Sequence, residues 1–575
     1  MKQKILKKNP LLLISLISIS IMAQNVKKSD ISLPEGYELP GNKRTVVEIK
    51  AKSVPNAKSL SEYAKAFDKP TYLPQYSDVI MRSLPVREGD KNNTFTAMDN
   101  FHVTRLEWTM AKEDALIAKV LHSGRYFGGM FGSLIPASRS NNEALVNLKG
   151  EPIILKHMRG WKVLPRNGCV NNPDFIEYQL SENAKYIKAG ATSIQRDDPE
   201  TQSMAINLGG CFCSICVKGF TAWLKKNISQ TDLVANGVSD VDSFDYKQYL
   251  ISINAPVGDD FGKWDGGKLK EWFKEFQKVS NIEYLNKIKA GLAQIAGKHF
   301  PLSGNNTSYQ SWGAVHQQLD FGFSEMIMQT AIPERIYERS YVARSLGKMQ
   351  VYSNPKALGN QVIAEELRCN TIRRTIATAY STGSIAGVPW DTYEQTASGN
   401  DRYFGTPAQY ADLYGFVRGI ASYLDKYEDV CATGKNIAEQ KVDGKIVVSA
   451  LPEKVYAFTR AIPNNPKADI VMHLVNWNDS AKVFTMELDK QLIAGNKKVK
   501  IKMLTPAEYS LEKHAKAEAK AQSLRPNGAL FSANESTAYA GLVNTQTLKY
   551  KVKGDKILVK IPELKLWSVL VISIK

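Results

Sequence analysis

Beyond residue 23 the chain has no long apolar run, which excludes a membrane-spanning helix there. Cysteine and histidine are scarce, at six and seven in 575 residues. The histidines form no HExxH and no tight pair, which argues against a catalytic zinc of the peptidase kind. No serine stands in a Gly-x-Ser-x-Gly turn, so an α/β-hydrolase esterase is not expected. There is no arginine-rich arm or nucleic-acid motif, and hence no expectation of a DNA or RNA partner. Nothing suggests an organic cofactor.

The N-terminus has the pattern of a secretory leader over residues 1–23. Lys2, Lys4, Lys7 and Lys8 precede the apolar Leu11–Met22, and Ala23 is the expected cleavage position. No cysteine follows to carry a lipid anchor. A bacterial protein exported to the periplasm or medium is expected. The formal charge is +18, and removing the four leader lysines leaves +14. That favours acidic partners, anionic polysaccharides among them, although a solvated lysine-rich surface accounts for the same charge.

A chain of 575 residues exceeds one ordinary core, so several domains are expected. Residues 24–100 are rich in Pro, Lys and Asn and read as an extended segment packed on the main domain. From 101 to 430, strand-length apolar runs alternate with amphipathic helical stretches. The predicted strands are His102–Trp108, Arg125–Gly132, Pro152–Met158, Ala191–Asp197, His299–Asn305, Leu319–Ser324, Met349–Asn354 and Ser384–Pro389. Eight βα units predict an α/β fold, a (β/α)8 TIM barrel with a long helical insertion after the fourth strand. An open doubly wound sheet is the competing architecture, but no Gly-rich phosphate loop follows the first strand. Residues 431–575 change to period-two alternation, interrupted by one helical stretch at Glu512–Ser523, and predict a C-terminal all-β sandwich.

Barrel chemistry sits at the C-terminal ends of the strands, and acids cluster there: Glu107, then Asp197, Asp198 and Glu200, then Glu325 and Asp391. Amides and aromatics join them at Trp108, Asn305, Asn306, Tyr352, Asn354, Trp390 and Tyr393, with His157 and Arg159 after the predicted third strand. Carboxylates bind sugar hydroxyls and flat rings stack on sugar faces. Glycosidic cleavage needs two carboxyls flanking the bond. Asp197 shares the parity of Gln195, opposite to the helix-facing Ile194, and is the nucleophile candidate, with Asp198 as its alternative. Glu325 is the acid/base candidate. Phe321 and Phe323 share its phase and read as outward-facing, so a twist or bulge before Glu325 is expected. Glu107, Trp108, Arg159, Asn305, Asn306, Asn354, Trp390 and Asp391 are candidates for substrate binding.

Cys211, Cys213 and Cys216 lie within six residues at the start of a helix, and Cys169 precedes the helix that enters the fourth strand. Four thiolates would close a structural zinc site. A disulfide or plain buried thiols are the alternatives, and Cys369 and Cys431 are left over. The run Cys-Phe-Cys-Ser-Ile-Cys-x3-Phe-x2-Trp-Leu after an acidic strand end resembles glycoside hydrolase family 42. That resemblance implies a β-galactosidase-type barrel with zinc at Cys169, Cys211, Cys213 and Cys216. The chain departs from that family in ending its fourth strand Asp-Asp and its seventh Tyr352-Ser353-Asn354. An aspartate on strand four with Asp320–Glu325 near strand six is similar to retaining α-glycosidases and dextranase-type enzymes, whose C-terminal domains Val471–Trp477 also resembles.

A secreted, retaining glycoside hydrolase acting on an oligo- or polysaccharide is therefore expected, with sugar, anomer and oligomeric state open. A non-catalytic carbohydrate-binding protein on a degenerate barrel and a cell-surface structural protein are the rivals.

Overall fold

The computed structural model describes residues 73–575 apart from 308–311, 357–361, 394–401, 438–440, 443–444, 466 and 526–532. The expected leader, and the extended segment up to residue 72, lie outside the described residues.

Eight parallel strands form one sheet in chain order. They are β1 (Ile80–Arg82), β2 (Arg105–Thr109), β3 (Tyr126–Phe131), β4 (Ser193–Arg196), β5 (Leu302–Thr307), β6 (Phe321–Glu325), β7 (Met349–Tyr352) and β8 (Ile385–Ala386). Val388 N donates to Ile80 O at 2.8 Å across the remaining seam, so the sheet curls into a nearly closed barrel. Helices pack outside it, as the βα pattern requires.

One predicted strand is replaced. The expected first strand is the sheet's second, and β1 comes from the Pro-rich stretch before it. Three residues bounded by turns carry too little periodicity to stand out. Pro152–Met158 is not a barrel strand: Pro152 makes a single bridge to Val146, and Lys156–Met158 is a 3-10 turn. Its apolar residues Ile153, Leu155 and Met158 join a second core with Cys169, Cys211 and Cys216, apart from the barrel's own core.

The barrel interior is unusually polar below the mouth. Arg105 donates to Glu107 at 2.8–2.9 Å, and Ser193 Oγ donates to the other Glu107 oxygen at 2.6 Å. Gly128 makes room for this group, because a Cβ there would sit 1.7 Å from Glu107 Oε2.

Four helices frame β4. α1 (Pro173–Lys188) starts with an Asn172 cap and Pro173 in its first turn, and ends with Lys185 and Lys188 against the negative end of its dipole. After β4 come α2 (Thr201–Ala205), α3 (Ser214–Asn227) and α4 (Gly267–Ala296).

The C-terminal part is a β domain of a six-stranded and a four-stranded antiparallel sheet. Observed strands such as Val455–Ala461, Ile470–Asn476 and Trp567–Ile574 lie within a residue or so of expectation. Met472 and Leu474 meet Met486, Leu488 and Val559 between the sheets. The opposite face of the larger sheet packs on the barrel, where Trp567 meets Phe416 edge-on at 4.9 Å. Burial on both faces explains why its central strands are apolar at nearly every position.

Candidate active site

A cleft opens at the C-terminal ends of the barrel strands. Ile80 and Arg82 of β1, Trp108 of β2, Phe323 and Glu325 of β6, Ser353, Asn354 and Lys356 after β7, and Val388, Trp390 and Thr392 after β8 line it.

Strand β6 needs no bulge to present Glu325. Phe321 and Phe323 point into the barrel, where Phe323 meets Trp108 edge-to-face at 5.6 Å. Glu325 continues the same phase upward into the cleft. The intervening Ser324 faces the helices and accepts from Arg339 at 3.1 Å. Aromatic rings inside the barrel replace the aliphatic layer that made the outward reading attractive.

On β4 the parity holds: Gln195 faces inward, accepting from Ser303 Oγ, and Ile194 is buried toward the helices. Asp197 follows at the mouth, anchored by its N–H to Phe131 O at 2.9 Å. Burial pushes its carboxyl up to about 7, and the negative charges of Asp198 and Glu325 push the same way. Arg196 and Arg82 oppose them. Asp197 and Glu325 therefore share one electrostatic site. Asp198 is held differently: Asn305 Oδ1 accepts its N–H at 2.7 Å, and Asn305 Nδ2 donates to its carboxylate at 3.3 Å. Lys356 Nζ stands 3.6 Å from Glu325 Oε1, both partly exposed.

Trp108, Asp198 and Asp391, each just at or past a strand end, take left-handed backbone angles (φ 54°, 49° and 49°). A non-glycine residue pays about 1 kcal/mol or more for this, so neighbouring contacts must hold it there. Both cleft indoles, Trp108 and Trp390, have a buried N–H without an acceptor among the described residues.

The remaining candidates fall elsewhere. Glu107 lies wholly buried below the cleft, occupied by Arg105 and Ser193; burial raises its pKa and Arg105 opposes the shift. Asp391 is fully buried and accepts from Leu84 N, Arg87 and Arg402 at 3.2–3.3 Å, which commits it to holding the rim. Asn306 pairs with Gln350 behind the sheet, at 3.0 and 3.2 Å. Arg159 is paired with Asp259 on the insertion, and the side chain of His157 lies outside the described residues. Asn354 lines the cleft while donating to Val388 O at 3.0 Å. Arg82 and Lys356 are the cleft residues that sequence reasoning missed. Arg82 followed the unrecognised β1; its signal was the short apolar run Val79–Met81 that ends in a lone cation.

The four cysteines Cys169, Cys211, Cys213 and Cys216 come together, with all four sulfurs within 4.8 Å of one another. Cys169 Sγ lies 3.7 Å from Cys213 Sγ and 3.4 Å from Cys216 Sγ, too far for a disulfide. A tetrahedron with 2.3 Å metal–sulfur bonds has edges of about 3.8 Å, so the residues fit a zinc-type ion. The donors around the sulfurs fit as well: Asn171 Nδ2 and Gln202 Nε2 both donate to Cys216 Sγ, at 3.3 and 3.5 Å. Cys369 and Cys431 form no disulfide with each other.

No protein-family model matches the chain. Among curated proteins it resembles the α-agarase of Alteromonas agarilytica, 24% identical over 286 residues, which is 46% of this chain and 19% of the agarase. The α-agarase of Thalassotalea agarivorans is 22% identical over the same length and shares. The match thus spans about a fifth of these relatives' length. Among solved structures, the cycloisomaltooligosaccharide glucanotransferase of a Paenibacillus species superposes with a TM-score of 0.50 at 8% identity, over 86% of this chain and 85% of that one. The α-L-fucosidase isoenzyme 2 of Paenibacillus thiaminolyticus gives 0.47 at 10% identity, over 87% and 100%. At such identities the structural likeness is one of fold.

Proposed function

We propose that this protein is an exported glycoside hydrolase that cleaves a polysaccharide or oligosaccharide by a retaining two-carboxylate mechanism. The observation that carries the reading is the electrostatic interaction of Asp197, just past β4, with Glu325, which ends β6 and lines a cleft with Trp108, Phe323 and Trp390. The curated relatives are named α-agarases, which makes agarose the first substrate to offer.

In this mechanism Asp197 attacks the anomeric carbon while Glu325 protonates the leaving oxygen. Glu325 then takes a proton from the water that releases the sugar. Asn305 holds Asp198 and, through it, the turn that carries Asp197. The unpartnered indole N–H groups of Trp108 and Trp390 donate to substrate oxygens. The four cysteines would hold a structural zinc, supplying all four thiolate ligands, and its contribution there would be to the fold and not to bond cleavage. Further domain boundaries follow the sequence pattern, with the barrel up to about residue 430 and the β domain after it.

One observation favours exchanged roles. Burial pushes Asp197 up to about 7, so a proton is held there near neutral pH, as an acid requires. An activated aryl glycoside separates the two assignments. The variant lacking the acid keeps its first chemical step on such a substrate, and the variant lacking the nucleophile loses it. The pH profile separates them too. An ionised Asp197 nucleophile makes kcat/KM rise with pH through about 7, and a protonated Asp197 acid makes it fall through the same region.

The test is product release from agarose, agar oligosaccharides and a panel that includes anionic polysaccharides, with wild type beside Glu325→Gln. Release lost in the variant supports the reading. Release by both removes Glu325 from it. Glycan binding without release by wild type would favour the binding-protein alternative.

A further inference from the structure

The acid-bearing turn after β4 and the four-cysteine centre are wired to each other. α2 begins three residues after Asp198, and Thr201 Oγ1 donates back to Asp198 O at 2.6 Å. The next residue, Gln202, is completely buried and uses every polar atom of its side chain. Its Oε1 accepts from Val170 N, the neighbour of Cys169, at 3.1 Å. Its Nε2 donates to Cys216 Sγ at 3.5 Å and to Gln277 Oε1.

Gln277 and Asn281 lie one turn apart on α4, both completely buried. Gln277 donates to Cys211 O at 3.4 Å, on the cysteine side. Asn281 serves the acid side: its Oδ1 accepts from Ser203 N at 2.9 Å and its Nδ2 donates to Pro199 O. One face of one helix thus grips the cysteine loop with one amide and the acid turn with the next. Gln202 closes the circuit directly onto a sulfur.

We infer that Gln202 and Asn281 are positioning residues, through which metal binding at the cysteine centre sets the geometry of the Asp197–Asp198 turn. The inference rests on the acids and the metal centre having the roles given above. Its physical basis is geometric: an ion held by the four cysteines fixes the position of Cys216 Sγ, the acceptor of the Gln202 N–H. Loss of the ion removes the force that clusters the four sulfurs, and Gln202 loses a fixed acceptor. Its other bonds, to Val170 and Gln277, then no longer have one geometry. The slack passes to α2 and to the turn in front of it.

The test is backbone hydrogen exchange on the full chain, with Zn(II) bound, after its removal by a chelator at neutral pH, and after Zn(II) is restored. Exchange over residues 199–205 is expected to rise about tenfold on metal removal and to recover on reloading, with β7, β8 and the C-terminal sheets unchanged. In Gln202→Leu the Zn(II) content is expected to stay while the coupling is lost, so that exchange over 199–205 no longer follows the metal. Cobalt(II)-loaded Gln202→Leu is expected to show shifted sulfur-to-metal charge-transfer bands, because one N–H···S bond is gone. Asn281→Leu cuts the other end and leaves those bands in place, with the turn exchanging fast in both states.

Fast exchange across the whole barrel on metal removal would make the ion a global staple and overturn the inference. So would a turn that ignores the metal in wild type, or one that still follows it in Gln202→Leu. A wild-type protein that binds no metal overturns the metal reading and this inference together. None of these readouts requires a substrate, so a failed glycosidase assay leaves them standing.

Discussion

Two groups of acids ring the same barrel and are treated in opposite ways. Asp391 and Glu107 are fully buried, and each is matched by guanidinium, hydroxyl or amide donors. Glu325 faces the cleft, and its charge helps to raise the pKa of the largely buried Asp197, with Arg196 and Arg82 only partly offsetting the rise. All four were expected at strand ends from the sequence pattern. Unspent capacity is what separates a candidate catalyst from a strut. A carboxylate whose lone pairs are filled by fixed donors has nothing left for a substrate, whereas one kept short of partners gains on binding it.

The largest expected contrast is in rate. Glu325→Gln should lower kcat by about 10²–10⁴-fold on a natural substrate while leaving the thermal midpoint close to wild type. Steady-state kinetics beside a melting curve measures both, and a parallel loss of folding would place Glu325 with the struts. The converse change is Asp391→Ala, which strips an acceptor from Arg87, Arg402 and Leu84 N. A loss of about 3 kcal/mol in denaturant unfolding is expected, because the donors remain after their partner has gone.

Asp197→Asn is expected to gain stability as it loses turnover. Between pH 4 and 7 the native state holds a proton on Asp197 that the unfolded chain releases, since its carboxyl is raised from 3.8 to about 7. Wild-type stability therefore falls as pH rises through that window, and asparagine removes the fall. The variant should exceed wild type by on the order of 2 kcal/mol above pH 7 and match it near pH 4. Unfolding at the two pH values checks this, and an unchanged difference would contradict the burial argument. Smallest of all, Trp390→Phe keeps an aromatic ring but loses the indole N–H, with KM expected to rise several-fold, as for one hydrogen bond to a ligand.

Much of this was legible before the structure, and the pattern of success has a physical origin. In the C-terminal domain, alternation such as that of Lys556–Leu564 reports one face buried against the opposite sheet, while the central strands of the larger sheet show as short apolar runs buried on both faces. Parity along Ser193–Arg196 was legible for Gln195 and Ile194, since side chains alternate faces along a strand. The four cysteines were found by spacing and chemistry, because thiolates have few other uses at such density. The failures arise where short-range pattern carries no information. β1 has three residues, too few to show a period. Phe321 and Phe323 read as outward because aromatic rings inside a barrel look, in one strand, like rings under a helix. Ile153 and Leu155 alternate to fill the core around the cysteines rather than to pair in the barrel.

The sequence by itself determined the repeating βα units, the change to alternation after them, the cysteine cluster and the list of acids at strand ends. Those are properties of neighbouring residues, set by local period and side-chain chemistry. Only the tertiary structure decided which acids are spent. Asp391 is locked by Arg87, 304 residues earlier in the chain, and Asp198 by Asn305, 107 residues later. A carboxylate's protonation and freedom depend on the charges and donors within a few ångströms of it, and closing the barrel brings those together from distant parts of the chain.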